Sequence, residues 1–155
     1  RIDSSGNVGI NTTSPDAPLH VAGRSKIQTV IEDGHVDTGT SGTTNIDFAN
    51  TVAVYYFVNS QVGNAQLNFR GSGSQTLNAL LSVGDAATAT VAYTQGGTAK
   101  YVEQVQIDGS NVTPKWAGGT APTAGNASGI DVYSFSIIKT ADATFTVFAS
   151  LTQYA

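Results

Sequence analysis

Cysteine and methionine are both missing from the 155-residue chain, and charged residues make up only 12% of it, against about 25% in ordinary soluble domains. Without cysteine, neither a disulfide framework nor a thiolate zinc site can form. Lysine and arginine number 7 against 11 aspartates and glutamates, for a net charge of -4. Phosphate backbones are held by clustered Lys and Arg, so nucleic acid is not an expected partner. Long apolar runs are missing as well. None approaches the ~18–20 residues a helix needs to cross a bilayer, and no membrane insertion is expected. No segment keeps a helical period across a helix-length window. Because the chain starts at Arg1 and has no methionine, it is read as a C-terminal fragment, or the ordered part, of something longer. Its length fits one domain with a small appendage.

What is present is Thr, Ser, Asn, Gln and Gly around short apolar alternations. Such a surface suits a β-structure that works outside cells. Residues 1–22 place Ile2, Val8, Ile10, Leu19 and Val21 between Asp3-Ser4-Ser5-Gly6-Asn7 and Asn11-Thr12-Thr13-Ser14-Pro15. These are short strands and tight turns, too few to bury a core alone. Residues 23–45 read as a bridge, with a strand over 26–31 and a polar Gly/Thr loop over 34–44. From Thr44 onward the pattern is all-β. Residues 44–49 and 66–70 alternate, Leu67 and Phe69 facing in. Residues 88–94 put Val91 and Tyr93 on one face, and 101–107 end in the hairpin signal Asp108-Gly109. Residues 130–140 and 144–152 close the chain, with Phe145, Val147, Ala149 and Leu151 on one side. Short strands at near-regular spacing predict an all-β fold, a β-sandwich of jelly-roll type. The expected domains are 1–43 and 44–155.

One strand, Val52-Ala53-Val54-Tyr55-Tyr56-Phe57-Val58, is apolar on both faces. A sandwich strand normally shows one face to water, so a loop or another subunit should cover the second. Phe148, apolar among threonines and serines on the outer side of the last strand, suggests another subunit as well. Tyr55, Phe57 and Phe148 are therefore expected at a contact between copies of the chain, together with Val8 and Ile10. Trp116, the single tryptophan, reads as an aromatic anchor at a strand end. Gly118, Gly119 and Pro122 then supply a turn that most side chains would obstruct.

Residues that carry chemistry are sparse. His20 reads as packing. His35 sits in Glu32-Asp33-Gly34-His35-Val36-Asp37, whose spacing matches no zinc or EF-hand pattern, and ordinary turn chemistry is the expectation. No metal, cofactor or catalytic residue is assigned. There is no G-x-S-x-G elbow, and Gly71-Ser72-Gly73-Ser74 lacks the lysine of a P-loop and reads as a flexible loop. Asp85, Glu103, Asp108, Asp131 and Asp142 are scattered, so a carboxylate pair for sugar cleavage is only a remote alternative. The chain is not expected to be an enzyme.

Gly6-Asn7-Val8-Gly9-Ile10-Asn11-Thr12-Thr13-Ser14-Pro15 with Leu19-His20-Val21 resembles a shaft motif that recurs along bacteriophage tail fibres, with Asn11 where that motif has glycine. Asn tolerates positive φ, so the turn survives. Trp116-Ala117-Gly118-Gly119-Thr120-Ala121-Pro122 followed by Ile130-Asp131-Val132-Tyr133-Ser134-Phe135 resembles the C-terminal domain of tail-fibre and related virion proteins. The resemblance implies a homotrimer, a short intertwined shaft followed by a head domain, carried on a virion appendage outside the cell. It implies other virion proteins as partners, and a bacterial surface glycan or protein met by the head. Loops over 71–75, 84–87, 95–98 and 117–128 are the expected contact regions. The alternative is a trimerisation, capping or attachment domain that never touches the host.

Overall fold

Apolar triplets bounded by turn residues give the beginning of the chain its only regular structure. In the computed structural model, which describes residues 1–49 and 54–155, Arg1–Ile31 is one compact unit and Glu32–Ala155 another. In the first, β1 (Val8–Ile10) pairs in parallel with β2 (Leu19–Val21), Val8 opposite Leu19 and Ile10 opposite Val21. The Asp3 carboxylate closes the preceding turn by accepting from the backbone N–H groups of Ser5 (2.8 Å) and Asn7 (2.9 Å). Those donors, Asn7 first, hold its carboxyl below the usual carboxylate range. Asn11 does take positive φ, 60°, and its amide donates to the Ala22 carbonyl at 2.9 Å. No large apolar side chain of this unit is buried, and Ile2, Ile10 and Leu19 are more than half exposed.

The second unit holds β3 (Gly34–Asp37), β4 (Gly42–Asp47), β5 (Val54–Gln61), β6 (Ala65–Arg70) and the one-turn helix α1 (Leu77–Leu80). There follow β7 (Ala86–Gln95), β8 (Val102–Ile107), β9 (Ser110–Val112), β10 (Lys115–Trp116), β11 (Ile130–Ala141) and β12 (Thr144–Tyr154). They form a six-stranded sheet in the order β10-β12-β11-β7-β5-β3 and a four-stranded sheet in the order β4-β6-β8-β9. Between β3 and β8 the chain changes sheet at every connection. As a result β3, β5 and β7 lie parallel in one sheet and β4, β6 and β8 lie parallel in the other. Only later does it fold into antiparallel hairpins. Ile107 faces Ser110 across an Asp108-Gly109 turn with φ of 51° and 79°, the signature of a two-residue type I′ turn. β11 runs antiparallel to both β12 and β7.

The two sheets close on one core. Ile46, Leu67, Phe69, Val105 and Ile107 of the smaller sheet meet Val91, Tyr93, Tyr133, Phe135 and Ile137 of the larger, and the Phe69 and Phe135 rings stand 5.1 Å apart. The fold is thus all-β and two-layered. The parallel winding, however, replaces the antiparallel Greek keys of the expected jelly roll. Residues 34–44, expected as loop, supply β3 and the start of β4, while 26–31 form no strand. The units accordingly divide after Ile31 rather than after residue 43, because the backbone of β3 and β4 is already committed to the two sheets.

Candidate binding face

Alternation decides what each sheet shows to solvent. In the smaller sheet Ile46, Leu67, Phe69, Val105 and Ile107 turn inward, so the residues between them form the outer face. Backbone register aligns these side chains across strands: Thr43, Gln66 and Gln104 in one row, and Asn45, Asn68, Gln106 and Asn111 in the next. Asp47 and Arg70 form a third. The rows are tied laterally. Thr43 Oγ1 donates to Gln66 Oε1 at 3.1 Å, Asn68 Nδ2 to Asn45 Oδ1 at 2.8 Å, and Gln106 Nε2 to Asn111 Oδ1 at 3.0 Å. The guanidinium of Arg70 meets the Asp47 carboxylate through Nε at 2.5 Å and Nη2 at 3.2 Å, and that hydrogen bond raises the Arg70 pKa above its ordinary value.

Beyond Arg70 the face runs into a groove of about 380 Å³ lined by Asn68, Arg70, residues 72–76, Asp108 and Gly109. Its rim is the Gly71–Ser74 segment, expected to be flexible. The segment is tied instead by a hydrogen bond from Ser72 N to Gln75 O at 2.7 Å and one from Ser74 N to Ser72 Oγ at 3.2 Å. Gly71 is required there, since a Cβ would stand 2.8 Å from the carbonyl oxygens of both Gln75 and Thr76. Asn68 Oδ1 accepts from Gly109 N at 2.9 Å, which joins the turn to the ladder.

The larger sheet presents a different outer face. On β5, β7, β11 and β12 the positions that alternate outward with the core residues are apolar or carry a hydroxyl, and Tyr56, Val58, Phe148 and Tyr154 are exposed. Asn59 at the β5 irregularity and Gln153 near the end of β12 are exposed amides beside them. Beside Phe148 lies a hollow of about 430 Å³ formed with Lys115, Trp116, Ser134, Ser136 and Ser150.

The sequence-expected site residues distribute as follows. Tyr55 and Phe57 are each 4% exposed and belong to the core, the Phe57 ring stacking on Tyr93 at 4.6 Å. They cannot face another copy. Strand alternation turns Tyr56 and Val58 outward in their place, and Val52 and Ala53 lie outside the described residues. Phe148 is outward and 48% exposed, and Val8 and Ile10 are 37% and 52% exposed. Trp116 is partly buried and edge-on to Tyr133 and Phe135 at 6.2 Å. Gly118 and Gly119 take φ of 77° and 81°, and Pro122 lines a cleft with Trp116. Of the expected contact loops, 71–75 borders the groove. The 95–98 loop loses Gln95, which is buried and donates to Lys100 O and Asp131 Oδ2, both at 2.9 Å.

His20 Nδ1 lies 2.6 Å from Asp16 Oδ1. His35 Nε2 lies 3.5 Å from Asp37 Oδ2, and its ring sits 4.9 Å from that of Tyr55. Among the described residues no three His, Cys, Asp or Glu side chains converge as metal ligands do. Each of the five carboxylates weighed for sugar cleavage has a structural partner. Asp131 is fully buried and accepts from Asn126 N and Gln95 Nε2. Asp108 accepts from the N–H groups of Leu77 (2.7 Å) and Asn78 (3.1 Å), Asp85 from Ser82 N, Glu103 from Asn64 Nδ2 and Asp142 from Asn78 Nδ2.

The amide ladder was absent from the sequence-derived site. Its signal lay in the polar halves of Gln66-x-Asn68-x-Arg70 and Gln104-x-Gln106, where amides stand in positions that ordinary surface strands give to Lys and Glu. Comparison with known protein families, with curated proteins and with solved structures found no match.

Proposed function

We propose that this chain is a structural and adhesive piece of a bacteriophage virion appendage, assembled as a homotrimer, whose second unit meets the bacterial surface. The observation that carries the adhesive part is the outer face of the four-stranded sheet. It is an array of amides and hydroxyls tied across the strands, with one internally paired cation. Such a surface is built to hold a polar ligand by many small contacts. Three copies multiply a weak site through avidity. The tail-fibre resemblance of residues 6–21 and 116–135 supports the virion setting.

A second reading, a trimerising or capping domain with no host contact, is favoured by the apolar outer face of the larger sheet. Retention of the purified chain on a panel of bacterial cells separates the two. Specific retention on at least one strain at micromolar chain is the expected result. No retention on any strain leaves the capping reading.

A further inference from the structure

Asn68 is buried and uses both halves of its amide, Nδ2 to Asn45 and Oδ1 to Gly109, but the other bonded amides of the ladder spend one half across the strands and keep the other. Gln66 keeps its Nε2, Gln106 its Oε1 and Asn111 its Nδ2. Gln104 is held in the array by register with Gln66, and its side chain has no hydrogen bond among the described residues. The face therefore offers donors and acceptors side by side at the strand spacing of ~4.8 Å. A partner must both give and accept hydrogen bonds at short intervals, as pairs of sugar hydroxyls do. Because lateral bonds already fix Gln66, Gln106 and Asn111, less side-chain entropy is lost on binding.

The charge pattern narrows the ligand further. Arg70, the one cation of the ladder, is bidentate to Asp47, and the groove beyond it is lined in part by Asp108, whose carboxylate accepts from Leu77 N and Asn78 N. A polyanion would find no unpaired positive charge in this array and would lie beside the acidic Asp47 and Asp108. A neutral polyhydroxylated chain meets neither penalty. It can run from the Gln66–Gln104 row past Asn68 into the groove, where the Ser72 and Ser74 hydroxyls continue the same chemistry.

We infer that the outer face of the four-stranded sheet, with the groove past Arg70, is a binding site for a neutral glycan. This rests on the adhesive reading and gives it a place and a ligand class. The test is an array of immobilised neutral oligosaccharides, with dextran, mannan and galactan alongside and hyaluronan and dextran sulfate as acidic counterparts, probed with the full chain. The expected result is retention on a neutral glycan. Gln104→Ala with Gln106→Ala should lose about tenfold or more in affinity while the molar mass by light scattering stays unchanged. Should the double variant not fold, Gln104→Glu repeats the test with the same shape and an added charge. Retention on acidic glycans alone, retention that these variants leave intact, or no retention on any neutral glycan overturns the inference. Cells bound without neutral glycan would leave the adhesive reading standing and point to a protein receptor. Loss of both would remove both.

Discussion

At the scale of single residues, buried phenols make the protein sensitive to alkali. The Tyr133 oxygen accepts from Val102 N at 3.2 Å, a contact that favours the phenolate, yet burial dominates and pushes the Tyr133 pKa up to about 12. Burial, ahead of every other cause, raises Tyr93 as well. A group whose folded pKa exceeds its unfolded value contributes its full stability below the unfolded pKa, here 10.0, and loses it as pH rises through the folded value. Denaturant midpoints should thus stay level up to about pH 10 and then fall, with Tyr133 contributing about 2–3 kcal/mol. Tyr133→Phe should lower stability at neutral pH, because Val102 N loses its acceptor, and should flatten the alkaline decline. An alkaline decline as steep in Tyr133→Phe as in the parent chain would count against this account.

At the scale of elements, α1 shows how a helix too short to stand alone is held from outside. Thr76 Oγ1 accepts from Ala79 N at 3.0 Å, and Asp108 accepts from the first two N–H groups. At the other end the Lys139 ammonium, on a buried side chain, donates to the carbonyls of Asn78 at 2.6 Å and Leu81 at 2.9 Å. An anion at the N-terminus and a cation at the C-terminus both suit the helix dipole. Lys139→Met should cost about 1–3 kcal/mol by leaving two carbonyls without a partner, read as a lower denaturant midpoint, and fast amide exchange should appear first over residues 77–81. The contacts from Asp108 and Lys139 were not visible in sequence, since both lie far along the chain from α1. What was legible depended on period. Alternation placed Leu67, Phe69, Val91, Tyr93 and Val147 inward correctly, and Asp108-Gly109 marked its turn. Pairing was not legible, because a period of two is the same for parallel and antiparallel strands. The three residues between β5 and β6 look like a hairpin loop, yet they carry the chain from one sheet to the other. The error at Tyr55 and Phe57 has the same origin: an unbroken apolar run leaves the phase of a strand undetermined, and only the neighbours β3 and β7 fix it.

At the scale of the whole molecule, two outer faces of opposite character lie on one sandwich, and magnitudes say what each can do alone. On the larger sheet the outward residues of β5, β7, β11 and β12 fall in register. Val36, Tyr56, Ala92, Val132 and Thr152 form one row, and Thr88, Ser136 and Phe148 another. Four strands about 14 Å across and some 27 Å long give a projected area of roughly 400 Å², half of the ~800 Å² per partner in a standard interface. A face of that size holds copies together only with help, and the first unit has apolar side chains to offer at Val8, Ile10 and Leu19. A face without charge on its central strands can meet its own copy without burying an ion, whereas one carboxylate placed there would be desolvated at each contact. The homotrimer proposed above predicts three times the 15.9 kDa of one chain in light scattering, and Phe148→Asp should shift it toward the single-chain mass. The denaturant midpoint of dilute Phe148→Asp should stay within about 0.5 kcal/mol of the parent monomer, as exposed substitutions generally do. A parent chain that remains at the single-chain mass at high micromolar concentration would leave Tyr56, Val58 and Phe148 without the role argued for them, and the amide face would then act one copy at a time.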